Sequence, residues 1–326
     1  MIPRRRFLEG LAALAATRIA GAQQRTDIPR VGLLFAAAPP AVASRIVAFR
    51  EELAALGYVE GKQVVFEIRY AHGDLARLPA LAAELARMPV NVIVTGGSSA
   101  TRPALDATST IPIVMAQDND PVGSGIVASL ARPGGNVTGL STLVPELSAK
   151  QLALLTEMVP GLARIAIFGD SGEAGDAQSV AEAERAAARL NIHSQTLDLR
   201  KIGGPAQLFA AAARMRAGAV LVLASAYLFA RQDEVVALAL TERLPAIYAH
   251  TEFVRRGGLA TYGANVSELL RYAAGYVVKI LNGAKPADLP IEQPTKFEFV
   301  INLKTATALG LTIPQSLLLR ADEIIQ

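Results

Sequence analysis

The chain has 326 residues, 52% hydrophobic and 19% charged, with no cysteine and no tryptophan. That hydrophobicity excludes intrinsic disorder, and the missing cysteine excludes disulfides, thiolate metal sites and a cysteine nucleophile. The net charge is +3; Arg4, Arg5, Arg6 and Arg18 against Glu9 account for all of it, so the body after residue 22 is neutral and gives nucleic acid no electrostatic footing.

The first element is a leader. A basic stretch precedes a weakly apolar run from Phe7 to Ala16, and Ala20-Gly21-Ala22 fits a small-residue cleavage site. Arg4-Arg5-Arg6-Phe7-Leu8 resembles the twin-arginine export signature. Residues 1–22 are therefore expected to be a signal peptide cleaved near Ala22–Gln23, leaving a periplasmic protein. The apolar run is far short of the roughly 20 residues that a membrane span needs. Residues 23–29 read as a linker.

A strand–helix alternation follows. Val31 to Phe35 is a continuous apolar run, as in a strand covered on both faces. Val42, Ile46, Phe49, Leu53 and Leu56 then form one helical face, with Gly57 suited to the C′ position. Val64–Tyr70, Val90–Thr95 and Ile111–Ala116 read as strands. Asp74 is placed to cap the helix after the first of these, and a short helix is expected near Ser99–Ala107. A second series repeats the outline: strands at Arg164–Phe168, Ile192–Leu197, Val220–Leu223 and Ala246–Tyr248, with helices between them, one opened by Gly204-Pro205. Asn265-x-x-Glu268 resembles a capping box before the helix Val266–Leu281.

Such alternation implies parallel sheets with right-handed crossovers. For this length, two sheets of about five strands are more usual than one of nine or ten. The expected division is lobe I at 30–139, lobe II at 140–259, a return to lobe I at 260–290, and a third crossover with a C-terminal segment at 291–326 whose lobe is left open. Gly-bracketed segments at 133–139 and 257–263, with the extended run Lys296–Asn302, suggest a three-segment hinge between lobes that close over a ligand.

Several longer motifs carry a resemblance. Gly57-Tyr58-Val59-Glu60-Gly61-Lys62, Asp120-Pro121-Val122-Gly123-Ser124-Gly125 and Ala131-Arg132-Pro133-Gly134-Gly135-Asn136-Val137-Thr138-Gly139 stand in order. Leu244-Pro245-Ala246-Ile247-Tyr248 and the run Glu292 to Asn302 complete the set. Together they resemble the ABC transporter substrate-binding family that includes tryptophan- and tyrosine-type binding proteins. The resemblance implies an α/β type I periplasmic binding protein fold, with two flavodoxin-like lobes and a solute in the cleft. It also implies a membrane permease as partner. Members with an assigned ligand bind aromatic amino acids.

Ligands of open parallel sheets bind beyond the carboxyl ends of the strands. That rule selects loops independently of any resemblance. Gly97, Ser98 and Ser99 join a strand to a helix N-terminus, where free N–H groups favour a carboxylate. Gln117 and Asp118 end the next strand. Asp170, Ser225 and Glu252 lie in the corresponding loops of the second series. Asp118, Asp170 and Glu252 are candidates for a ligand ammonium, and Tyr227 for stacking on an apolar group. The expected solute is thus a small amino acid or similar carboxylate, bound by a monomer.

Enzymatic readings fare poorly. Gly169-Asp170-Ser171 resembles the block of a GDS-type serine hydrolase, but no histidine stands three residues after an aspartate. The turn after the first strand lacks GxGxxG, so no nicotinamide cofactor is expected. His72, His193 and His250 are far apart and form no metal-ligand pattern. A leader occupies the place where a repressor would carry its helix-turn-helix. A solute sensor presenting its ligand to a membrane receptor is the alternative within the same fold.

Overall fold

The computed structural model describes residues 28–142, 146–173 and 175–326. The leader and its cleavage site lie outside the described residues. The first series comprises β1 (Arg30–Phe35), α1 (Pro39–Ala55), β2 (Val65–Tyr70), α2 (Leu78–Arg87), β3 (Val92–Thr95), α3 (Ser98–Ala107), β4 (Ile113–Asp118) and β5 (Val137–Ser141). These five strands form one parallel sheet in the order β2-β1-β3-β4-β5. β3 and β4 are buried at every position, because helices cover both faces.

The second series runs α4 (Glu146–Met158), β6 (Arg164–Gly169), α5 (Asp176–Arg189), β7 (His193–Asp198), α6 (Leu199–Ile202), α7 (Pro205–Arg214), β8 (Ala219–Val222), α8 (Ala226–Ala230), α9 (Gln232–Thr241), β9 (Ala246–Tyr248), α10 (Thr251–Arg255) and β10 (Ala260–Ala264). The chain ends with α11 (Val266–Leu281), β11 (Phe297–Asn302), α12 (Leu303–Ala308), α13 (Gln315–Leu318) and β12 (Glu323–Ile325). The second sheet has seven strands in the order β12-β11-β10-β9-β8-β6-β7. Its parallel part, β7-β6-β8-β9-β10, repeats the order of the first sheet. β11 joins antiparallel to β10, and β12 lies parallel to β11.

One expectation needs correction, and one assignment left open is now made. Residues 260–264 do not return to the first lobe: as β10 they pair along their whole length with β11, and Ala260 and Thr261 also pair with β9, within the second sheet. The return begins with α11, which packs along α1 and against β4. The C-terminal segment supplies β11 and β12 and so belongs to the second lobe. The chain thus passes between lobes after β5, between β10 and α11, and before β11. The first and third passages lie side by side: Ser141 N–H donates to Glu292 O at 2.9 Å and Glu292 N–H to Gly139 O at 3.0 Å.

Local punctuation follows the residues. At the end of α1, Gly57 takes φ +92, with Gly57 N–H donating to Ala54 O and Tyr58 N–H to Leu53 O, the two bonds of a Schellman motif. The helix stops at Ala55, so Leu56, expected on its apolar face, is instead 42% exposed. Asn265 caps α11 by accepting Glu268 N–H. The lobes share apolar packing: the cluster of Phe35, Val42 and Phe49 is continuous with Phe209, Leu228 and Phe229.

Candidate functional site

In each sheet the order reverses direction between the first and third strands, so the loops leaving those strands diverge and open a crevice. The two crevices face one another. Phe35–Ala37 after β1 and Gly96–Gly97 after β3 meet Glu173 after β6 and Ala224–Ser225 after β8 around a compartment of about 490 Å³. A second compartment of about 710 Å³, partly open to solvent, adjoins it and is walled by Thr142, Leu147, Gln151, Leu223 and Val266. Gln117, Asn119, Ala224 and His250 line both and form the boundary.

The smaller compartment carries the stronger polar equipment. The first turn of α3 opens on it, and the Ser98 and Ser99 N–H groups precede any intrahelical acceptor, whereas Ala100 N–H already donates to Gly97 O. A side chain at Gly96 would overlap the Phe35 ring, so this glycine permits the close approach of β1 and β3. Ser99 Oγ, Gln117 Oε1 and Arg45 Nη2 are buried without a hydrogen-bond partner. Burial of unmatched polar atoms is costly, and all three belong to residues that line this compartment.

Of the residues selected from the loops, Gly97, Ser98, Ser99, Gln117 and Ser225 line the cleft. Two of their hydroxyls already have structural work. Ser98 Oγ accepts Asn119 N–H at 2.8 Å, tying α3 to the end of β4. Ser225 Oγ donates to Asp170 Oδ2 at 2.8 Å and accepts Leu228 N–H, capping α8.

The acids and the tyrosine lie outside both compartments. Asp118 is fully buried, with Oδ1 accepting Asp120 N–H and its carboxyl pushed up to about 6 chiefly by burial. Asp170 is equally buried and spends its oxygens on Arg200 Nε at 2.6 Å, Gly172 N–H and Ser225. This network, together with Asp198 Oδ1 accepting Ser171 N–H, gives the Gly169-Asp170-Ser171 block a structural role. Glu252 pairs with Arg45, and Tyr227 has the Arg231 guanidinium 3.6 Å over its ring. Asp170 and Glu252 are taken by Arg200 and Arg45, partners that chain spacing does not reveal. Tyr227 meets Arg231 one helical turn on, and Asp118 holds backbone two residues on while its Oδ2 stays buried without a partner. Asp170→Ala is expected to cost about 2 kcal/mol in urea unfolding, less than a fully buried pair because Arg200 is 48% exposed. An unchanged midpoint would rule out this role for Asp170.

Other polar cleft residues were not among those selected, although Asn119 and His250 lie in loops that the rule named. Glu173 accepts Ala226 N–H at 2.7 Å, and its carboxyl is pushed up to about 7 by burial, with Asp170 and Asp118 adding to the rise. His250 is held down at about 4 by burial and then by Arg45, so it is neutral near pH 7. Arg45 had a visible signal: it lies on the same buried stripe of α1 as Val42, Ile46, Phe49 and Leu53. A charged residue on a core-facing stripe needs a partner.

Similarity to known proteins agrees with this architecture. A family model described as ABC transporter substrate binding protein matches residues 31–325. A tyrosine-binding protein of Clostridioides difficile is 25% identical over 256 residues, covering 78% of this chain and 73% of that protein. The crystal structure of an ABC domain in complex with L-Trp from Streptococcus pneumoniae superposes with TM-score 0.84 at 26% identity, covering 91% of this chain and 99% of the other. A conserved domain protein of Vibrio cholerae gives TM-score 0.84 at 28% identity, with the same coverage. The two lobes with repeated strand order are those of a type I periplasmic binding protein. Proteins of this kind bind solutes and are not enzymes. Among the described residues no helix is long and apolar enough to cross a membrane. The chain belongs to the ABC transporter substrate-binding protein family.

Proposed function

We propose that this protein is exported, loses its leader near Ala22–Gln23, and acts in the periplasm as the monomeric binding component of an ABC importer. It carries an amino acid or similar small carboxylate in the inter-lobe cleft and presents it to a membrane permease. One observation supports this reading above the others: the strand ends of both lobes meet around a compartment whose buried polar atoms lack partners. A solute is the natural complement of such atoms. The relatives named for tyrosine and for L-Trp agree with this solute class. No cofactor is needed.

A thermal-shift screen of the mature protein against amino acids and organic acids tests the reading. A ligand that binds only the folded state stabilises it by about 2.7 kcal/mol at 100 Kd. Ser99→Ala is expected to reduce that shift while leaving the ligand-free melting temperature within a degree or so, because Ser99 Oγ holds no bond in the free protein. If no amino acid or organic acid shifts the wild-type protein, the reading fails.

A further inference from the structure

Arg45 belongs to the first lobe by its helix and to the second by its contacts. Its Nε donates to Glu252 Oε1 at 2.7 Å, and its guanidinium carbon lies 4.3 Å over the Phe229 ring. Glu252 is on α10 and Phe229 on α8, both in the second lobe. Burial disfavours the Glu252 charge most, but Arg45, His250 and hydrogen bonds together outweigh it and keep the carboxyl below its usual range. The guanidinium plane is therefore clamped along one face and one edge. Arg45 is 3% exposed and lines the smaller compartment, and its Nη2 has no partner. A planar fork with one satisfied nitrogen and one free nitrogen suits a carboxylate oxygen better than any neutral acceptor.

The rest of the compartment complements that donor. The first turn of α3 adds N–H groups and Ser99 Oγ a hydroxyl. Gln117, 7% exposed with Oε1 unpartnered, and the Glu173 carboxylate are acceptors. Donors and acceptors thus share one small space, which is the pattern a zwitterionic head group needs. The neighbouring compartment, walled by Leu147, Leu223 and Val266 with Thr142 and Gln151, is left for a side chain.

We infer that Arg45 is the specificity-determining residue of the cleft: it reads the carboxylate of an α-amino acid from a position that also bridges the lobes, with Gln117 and Glu173 receiving the ammonium. This rests on the amino-acid reading of the cleft proposed above. It predicts that recognition of the carboxylate and contact between lobes share one side chain.

The test compares acids with their amides. Mature wild-type protein, Arg45→Gln and Glu252→Gln are titrated calorimetrically with L-tyrosine, L-tryptophan and L-leucine, and with the carboxamide of each. The work is done at about pH 6.5, below the α-amino pKa of about 7.7–8.0, so that both forms stay cationic at the amine. The wild type is expected to prefer at least one acid over its amide by about 100-fold, as for loss of a charge-assisted pair. Arg45→Gln should bring that ratio to within about threefold, and Glu252→Gln should weaken acid and amide alike while keeping the ratio. A purely structural Arg45 would lower both affinities and leave the ratio intact, and that result overturns the inference. Equal wild-type affinity for acid and amide overturns it without any variant, even if Arg45→Gln does not fold. If none of the six compounds binds the wild type, the amino-acid reading itself falls.

Discussion

Gly139→Ala is expected to destabilise the protein by about 4 kcal/mol or more. Gly139 sits within β5 opposite Met115 of β4, at φ +128. A Cβ there would overlap the Met115 carbonyl oxygen and lie 2.6 Å from the Met115 nitrogen. Neither atom can move without breaking the β4–β5 ladder, which is irregular just beyond this point. The Gly139 carbonyl also accepts Glu292 N–H from the third passage between lobes, so a shift of β5 would disturb that passage too. Backbone strain of about 1–3 kcal/mol and overpacking of similar size act together. Gly134 is the control: its φ is +71, but nothing lies within 4 Å of a Cβ there. Its replacement by alanine should cost only about 1 kcal/mol. Urea unfolding of both variants decides the matter; equal midpoints would show that the Met115 contact is not limiting.

The second large effect is a pH dependence. Glu173 is pushed up to about 7, first by burial, then by Asp170 and Asp118, against lowering by Ala226 N–H and Arg200. Its folded value lies above its ordinary 4.5, so the folded state holds the proton more tightly than the unfolded chain. Stability from this group is therefore fully present in acid and declines as pH rises from about 4.5 to about 7. At about 1.4 kcal/mol per pH unit, the loss amounts to about 3 kcal/mol. Glu173→Gln copies the neutral form and keeps an oxygen to accept Ala226 N–H. The variant should match the wild type near pH 4.5 and exceed it by up to about 3 kcal/mol near pH 8 in urea titrations. Asp118, pushed up to about 6, has the same sign and is present in both proteins, so the difference profile reports Glu173 together with its coupling to Asp118. A difference that does not grow between those pH values would sink the assignment. An ammonium bound beside Glu173 would reverse the trend, because it favours the ionised carboxylate.

Much of the fold was legible because its signals are local. β1, β6 and β8 announce themselves as continuous apolar runs, since strands covered on both faces expose nothing to alternate. The stop of α1 follows from one glycine that reaches φ +92. β12 shows no such signal: its three residues form a strand because β11 is beside them to pair with. The same tertiary pairing made β10 part of the second sheet, where a Gly-bracketed segment alone suggested a departure from it.

The cleft divides along the same line. Sequence alone determined which loops stand at the strand ends, and with them Gly97, Ser99 and Gln117, because strand direction and glycine placement are properties of short stretches of chain. Only the tertiary structure decided which charges are spent and which are free. Asp170 was claimed by Arg200 across 30 positions and Glu252 by Arg45 across 207. Coulomb attraction and hydrogen bonding depend on distances in space, and folding sets those distances between residues whose separation along the chain carries no trace of them.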